Sequence, residues 1–258
     1  MRRGHRLIHH SAIVAAVFAV GCSSPTVPTI TPPQPVFTTT SAAPNPVDHG
    51  IYADAGAKDG IDLEWHPDST GNTSGYFLYR STGDSTVGSD GLLKNRVTLV
   101  QLESSNQLVS PVDTSYLDTL HIHAGATYYY QLQAYYRSPG NQLTVSKPTP
   151  VSRATSFTYV NRVQLLVPSG VDSLHNFQPK FQWQDPNSGG SFQIIIQRLD
   201  TYAYVWSVID QDFENLVTVE YPLSAPPLVP GVPYQWRVKW LAANGGSSST
   251  WIAFTIVP

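Results

Sequence analysis

The chain has 258 residues, a formal net charge of −3, 41% hydrophobic residues and 13% charged residues. This composition excludes a disordered chain, a coiled coil and, because no basic run follows the first residues, a nucleic-acid-binding surface. A single cysteine excludes a disulfide framework and a cysteine-based zinc site. The 14 Tyr, 9 Phe, 21 Pro and 18 Gly favour many short strands joined by turns.

Residues 1–21 have the organisation of an export signal. Arg2, Arg3 and Arg6 precede an apolar stretch over residues 12–20. That stretch is too short to cross a bilayer core of ~30 Å as a helix, so we predict a signal peptide rather than a stable membrane span.

The segment Ala19-Val20-Gly21-Cys22 resembles the lipobox of bacterial lipoproteins, with Ala19 where that family usually has Leu. The resemblance implies a diacylglycerol thioether on Cys22 and a further acyl chain, which together hold a protein stably on a membrane. The expected location is the bacterial cell envelope, with Ser23-Ser24 favouring the outer membrane. An ordinary secretory signal followed by an idle thiol is the alternative.

Residues 22–49 are predicted to form a spacer. Seven Pro and six Thr occur between Ser23 and Asp48, and Asp48 is the first charged residue there. Such a stretch buries little apolar surface, so we expect a disordered, polyproline-like linker that reaches at most about 80 Å when fully extended.

After Gly50 the pattern changes to short alternating runs separated by turn residues. Ile61–Trp65 alternates apolar and polar residues as a half-buried strand does, and Tyr76–Arg80 and Tyr128–Ala134 are further strands.

The same anchor residues then recur along the chain. The matching pairs are Trp65 and Trp183, Arg80 and Arg198, Gly125 and Gly231, and Tyr128 and Tyr234. In each copy 15 positions separate the Trp from the Arg, and three separate the Gly from the Tyr. The offset between copies falls from 118 to 106 positions after Arg80, so the first copy carries 12 extra residues, within 81–115. We predict two β-sandwich domains, at residues 50–157 and 158–258, that melt independently unless their interface is extensive.

These anchors resemble those of fibronectin type III domains. That family has a buried Trp on its second strand, and a turn of the form L-x-P-G-x-x-Y that Leu228–Tyr234 matches closely and residues 123–128 match loosely. Ile194 replaces the aromatic residue found at Tyr76, so the second domain could be a related Ig-like sandwich. The resemblance implies an all-β fold, no catalysis, and a role in adhesion, scaffolding or spacing. It also implies five structural core residues: Trp65, Tyr128, Trp183, Tyr234 and Trp236.

Aromatic residues on the outer face of the first domain form the candidate binding face. They are Phe77, Tyr79, Tyr129 and Tyr135, and we expect Phe77, Tyr79 and Tyr129 to form a contiguous exposed patch. The competing explanation is that the second domain or the 81–115 segment covers this face. The row of Tyr202, Tyr204 and Trp206 in the second domain is expected to be core.

No catalytic or metal motif is evident. Asp62 and Glu64 share one strand face and make no cleft, while His121-Ile-His123 and the acids Asp210, Asp212 and Glu214 fit solvated loops. We expect no enzyme, no cofactor and no metal.

The predicted function is that of a non-enzymatic envelope module for binding, adhesion or scaffolding, with an unidentified envelope protein or polysaccharide as partner. The alternatives are a carbohydrate-recognising module of a glycan-degrading system, which needs an exposed aromatic row, and a purely structural spacer, which needs a stiff domain junction.

Overall fold

The computed structural model describes residues 29–41, 45–56, 59–103, 114–151, 155–170, 172–187, 189–212 and 214–258. The predicted signal peptide, Cys22 and the Ser23-Ser24 pair lie outside these residues. In the part that is described, no helix is long and apolar enough to span a bilayer.

The described chain folds into strands. The first eight are β1 (Ile51–Ala53), β2 (Ile61–Glu64), β3 (Gly75–Thr82), β4 (Val97–Glu103), β5 (Ser115–Asp118), β6 (Thr127–Arg137), β7 (Leu143–Val145) and β8 (Ser156–Tyr159). The remaining nine are β9 (Gln164–Val167), β10 (Asp172–Leu174), β11 (Lys180–Gln184), β12 (Gly190–Arg198), β13 (Tyr204–Asp212), β14 (Leu216–Glu220), β15 (Pro233–Ala242), β16 (Gly245–Ser248) and β17 (Ile252–Ile256).

Strands β1 to β8 form domain 1, a sandwich of two sheets. One sheet has the order β1-β2-β5, and the other runs β8-β6-β3-β4, with β7 pairing the end of β6. Alternate residues of β2, β3 and β6 point inward because successive side chains of a strand face opposite sides. They enclose a single core that includes Trp65, Tyr76, Leu78, Tyr130 and Leu132.

Strands β9 to β17 form domain 2 on the same plan. Its smaller sheet has the order β14-β11-β9, and the facing strands run β10-β17-β15-β12-β13. Strand β10 pairs in parallel with β17, whereas the other pairings within this sandwich are antiparallel. A separate core contains Phe181, Trp183, Ile194, Trp236 and Phe254.

The prediction of an all-β chain with two tandem fibronectin type III-like or Ig-like sandwiches is confirmed by this strand order. The tyrosine corner is present in both domains. The Tyr128 hydroxyl accepts a hydrogen bond from the His123 amide at 2.7 Å and donates one to the His121 carbonyl. The Tyr234 hydroxyl accepts one from the Val229 amide at 2.9 Å.

The two sandwiches share one continuous sheet. Strand β8 pairs antiparallel with β6 of domain 1 and, on its other edge, pairs in parallel with β16 of domain 2. Backbone hydrogen bonds extend this contact from Thr158 to the Asn244 carbonyl at 3.0 Å and from Val160 to the Gly246 carbonyl at 3.4 Å. The boundary drawn after residue 157 therefore falls inside a strand that both domains use.

Two glycines make this close pairing possible. Gly245 and Gly246 have φ angles of +159° and +143°. A Cβ added at Gly245 would lie 2.1 Å from the Thr158 carbonyl oxygen, and one at Gly246 would lie 2.2 Å from that of Trp240. A side chain at either position would have to displace backbone. Gly245 therefore permits the approach of β16 to β8, and Gly246 permits its approach to β15.

Residues 29–41 do not form the free spacer expected from their Pro and Thr content. The Thr38 amide donates to the Glu64 carbonyl at 2.9 Å, and the His66 amide donates to the Val36 carbonyl at 3.0 Å. Between these bonds Phe37 pairs with Trp65 and packs against the core of domain 1. The prediction of a disordered linker is wrong for these residues. Phe37 packs against the core, and the Glu64 carbonyl and the His66 amide, which β1 does not pair, form backbone hydrogen bonds with the segment.

Candidate functional site

The aromatic face of domain 1 is largely covered. Tyr135 is 1% exposed and Tyr79 is 9% exposed, while Phe77 and Tyr129 are half-buried. The expected contiguous exposed patch is therefore wrong. Phe77 lies between the two buried rings, with its centroid 4.9 Å from that of Tyr135 and 6.2 Å from that of Tyr79.

Residues 83–96, which we call the cover segment, close this face. The Gln131 side chain accepts a hydrogen bond from the Leu93 amide at 2.7 Å and donates to the Gly91 carbonyl at 3.1 Å. Leu93 is fully buried, and the Arg96 guanidinium lies 5.7 Å from the centroid of the Tyr79 ring. The extra residues of the first copy thus supply the cover, as the competing explanation required.

Two exposed tyrosines lie instead at the edge of domain 2. Tyr202 is 70% exposed and Tyr204 is 52% exposed, so the expectation that they belong to the core is wrong. Trp206 does pack inward, with its centroid 5.2 Å from that of Tyr221 in an edge-on contact. Tyr202 lies in the turn between β12 and β13, and Tyr204 is the first residue of β13, an edge strand, whereas Trp206 lies further along that strand and reaches Tyr221.

The five aromatic residues assigned to the cores lie inside the sandwiches. Their exposures are 2% for Trp65, 1% for Tyr128, 0% for Trp183, 3% for Tyr234 and 0% for Trp236.

The junction between the domains holds a compact charged group. The Asp48 carboxylate accepts a hydrogen bond from Arg237 at 2.6 Å and is also paired with the Lys239 ammonium. The three side chains are 8%, 6% and 14% exposed, respectively. Burial lowers the pKa of Lys239, and the Asp48 charge opposes that effect. Arg237 also lies over the Trp251 ring, 4.7 Å from its centroid.

A cavity of about 360 Å³ opens beside this group. Its walls come from both domains and from the segment before β1. They include Thr40, Asp48, Tyr52, Ser156, Lys239 and Asn244. Cavities with a few converging polar groups at domain boundaries are common places for ligands. No local sequence pattern indicates that Asp48, 189 positions from Arg237, would meet these two cations.

Carboxylates cluster on the adjoining face of β1 and β2. Burial, together with the negative charges of Asp54, Glu64 and Asp48, raises the pKa of Asp62 to about 7. Glu64 is partly compensated, since it accepts hydrogen bonds from the Gly50 amide at 3.1 Å and pairs with the His49 ring at 3.2 Å.

This raised pKa predicts a pH-dependent stability. Below the ordinary Asp pKa of 3.8, Asp62 is protonated in both states and carries no penalty. As the pH rises toward about 7, the unfolded chain releases the proton while the folded chain retains it, so stability falls. We expect Asp62→Asn to stabilise the protein by about 1 to 2 kcal/mol at pH 8, a figure reduced for partial solvent exposure, and to have little effect at pH 4.

Urea unfolding at the two pH values measures this difference. Glu220→Gln, at an exposed carboxylate of β14, is the matched control and should leave the pH profile unchanged. Equal stabilisation by Asp62→Asn at pH 4 and pH 8 would contradict the assignment.

A buried ion pair that no sequence pattern predicted lies inside domain 1. Arg80 Nη1 donates to both Asp118 oxygens, at 3.0 and 2.8 Å, and the Tyr130 hydroxyl donates to the same carboxylate at 2.9 Å. Asp118 is fully buried. The predicted match of Arg80 with Arg198 is wrong by two positions. Arg80 lies opposite Tyr130 of β6, whereas Arg198 lies opposite Tyr234, the counterpart of Tyr128. Arg198 pairs with an exposed carboxylate, Asp200.

No cluster of three or more His, Cys, Asp or Glu side chains suited to a metal occurs within the described ranges. His121 and His123 lie in the turn before β6, and Asp210 lies on β13.

No protein-family model matches the chain, and no curated protein matches it. Among solved structures, the chain is similar to a crystal structure of the chicken CNTN1 FN1-FN3 domains, with 14% sequence identity and a TM-score of 0.31. The match covers 88% of this chain and 66% of that one.

Proposed function

We propose that the protein is a non-enzymatic scaffold and binding module of a bacterial cell envelope, anchored by lipid at Cys22. The shared strand β8 supports this most directly, because it joins both sandwiches into one hydrogen-bonded sheet. Surfaces on the two domains are thereby held at a fixed distance and orientation, which a scaffold or spacer requires. The export signal and the small residues before Cys22 support the anchor.

A second candidate is carbohydrate recognition, supported by the exposed Tyr202 and Tyr204 rings. Flat aromatic rings offer large rigid apolar area at small entropy cost, which suits stacking on sugar faces as well as anchoring a protein partner. The covered face of domain 1 offers no comparable surface, so this hypothesis now rests on the edge of domain 2.

Cell fractionation and retention on isolated envelopes test both ideas. We expect Cys22→Ala to leave the membrane fraction or to accumulate as precursor, because the chain has no other thiol. Purified Cys22→Ala protein should then be retained saturably by washed envelopes. Adding Tyr202→Ser and Tyr204→Ser should abolish retention on envelope polysaccharide if the aromatic edge binds sugar, while Leu223→Ser, at an 86% exposed residue of domain 2, should not.

The outcomes separate the alternatives. If Cys22→Ala remained in the membrane fraction as the wild type does, the lipid anchor would be refuted. Complete loss of retention with the anchor removed would favour a purely structural spacer over a binding module.

A further inference from the structure

Two cations share one carboxylate at the domain junction. Arg237 and Lys239 come from β15 of domain 2, and Asp48 comes from the segment that precedes domain 1. Among the described residues, Asp48 is the one carboxylate within ion-pair distance of either cation. Arg237 Nε is buried and has no hydrogen-bond partner among the described residues. The two cations therefore keep at least one hydrogen-bond donor, Arg237 Nε, that Asp48 does not pair.

The segment that carries Asp48 is held by backbone hydrogen bonds to Glu64 and His66 and by a small number of side-chain contacts. We call residues 36–41 and 45–49 the strap. Phe37 packs against the core of domain 1, and Thr40 accepts a hydrogen bond from the Ile51 amide at 3.2 Å. Val36 and Val47, however, are 58% and 53% exposed. Val36 and Val47 therefore add little buried apolar surface, and the side chains that anchor the strap are Phe37, Asp48 and His49, which pairs with Glu64.

We propose that Arg237 and Lys239 form a carboxylate-binding site at the domain junction, and that Asp48 of the strap is its displaceable internal occupant. When the strap lifts, the site and the adjoining cavity of about 360 Å³ become available to a carboxylate-bearing ligand. A charged donor pair beside a cavity suits such a ligand because charge-assisted hydrogen bonds are stronger than neutral ones.

Burial explains why the site must be occupied. Removing one partner from a buried ion pair leaves the remaining charge uncompensated, and that is strongly destabilising. Loss of Asp48 would leave two adjacent cations without a counter-charge. A carboxylate supplied from solution should then stabilise the folded protein in proportion to its concentration, since it binds the folded state and not the unfolded one.

Chemical rescue of Asp48→Ala in the full chain tests the proposal. We expect the variant to melt several degrees below the wild type, and sodium formate to restore part of that loss beyond sodium chloride at equal ionic strength. Formate should not raise the melting temperature of the wild type in this way. Asp54→Ala, which removes a nearby carboxylate outside the junction ion pair, is the matched control and should show no rescue.

A second arm distinguishes a free acid from a peptide-borne carboxylate. The pentapeptide Pro-Val-Asp-His-Gly, the sequence of residues 46–50, is compared with its Asn-substituted version. Rescue by formate and by the Asp peptide identifies a general carboxylate site, and rescue by the Asp peptide alone identifies a peptide site. Asp48→Asn provides the same measurements should the alanine variant not fold.

Three results would overturn the proposal. They are an unchanged melting temperature in both Asp48 variants, equal effects of formate and chloride, and rescue that persists when Lys239→Met is added to Asp48→Ala.

Discussion

Replacing Trp65 with alanine is expected to lower one unfolding transition shared by both domains. Trp65 is 2% exposed and makes an edge-on contact with Tyr76 at 5.6 Å. Truncation of a large buried aromatic side chain costs about 3 to 5 kcal/mol, which is about 10 °C in melting temperature for a folded unit of this size. Trp183→Ala, in the other core, should shift the same transition by a similar amount, because β8 couples the two sandwiches.

Differential scanning calorimetry measures the number of transitions directly. Gly245→Ala supplies the matched uncoupled state, because a Cβ there would collide with the Thr158 backbone and separate β16 from β8. We expect Trp65→Ala to shift only one of two resolved peaks in the Gly245→Ala background. Gly140→Ala, where the nearest neighbouring atom lies 3.8 Å from the added carbon, should keep the single transition. Two separate peaks in the parent protein would show that the shared strand does not couple the domains.

Asp118→Asn is expected to destabilise domain 1 as strongly as a core truncation. The substitution removes the charge that pairs with Arg80, whose side chain is 7% exposed. Removing one partner of a buried ion pair costs about 3 to 5 kcal/mol, because the remaining cation is desolvated and has no counter-charge. The Tyr130 hydroxyl and the Leu120 amide also lose a charged acceptor.

Replacement of both charged residues, measured by urea unfolding, distinguishes the loss of ion pairing from the loss of packing. Arg80→Met with Asp118→Leu should recover much of the stability lost by Asp118→Asn alone, since neither charge is then left buried. Asp200→Asn, at the exposed Arg198–Asp200 pair of domain 2, should change the unfolding midpoint little. A small effect of Asp118→Asn, similar to that of Asp200→Asn, would contradict a buried and essential pair.

Local patterns predicted the architecture well because they act over short distances. The Trp on the second strand and the Tyr three positions after a Gly mark strand and turn positions within one sandwich, and their spacing repeats in the chain. The burial of Trp183 and the corner hydrogen bond of Tyr234 follow from alternation and turn geometry alone.

The candidate sites were harder to predict because they depend on contacts between distant segments. Alternation placed Tyr79 and Tyr135 on the outer face correctly, but it could not show that residues 83–96 fold back over that face. The high Pro content of residues 29–41 favoured a spacer. Composition could not show that Phe37 would pair with Trp65, just after β2. The roles of Gly245 and Gly246 depend on the backbones of Thr158 and Trp240, respectively, which no local pattern relates to them.

Because β8 is paired on both of its edges, it also limits self-association of the chain. An unpaired strand edge presents a row of backbone donors and acceptors that can template aggregation. In this protein the outer edge of domain 1 at β8 is closed by β16, and β16 is closed by β8 in return. Either sandwich expressed alone would expose such an edge, so each domain acts as the other's protective cap while the chain folds.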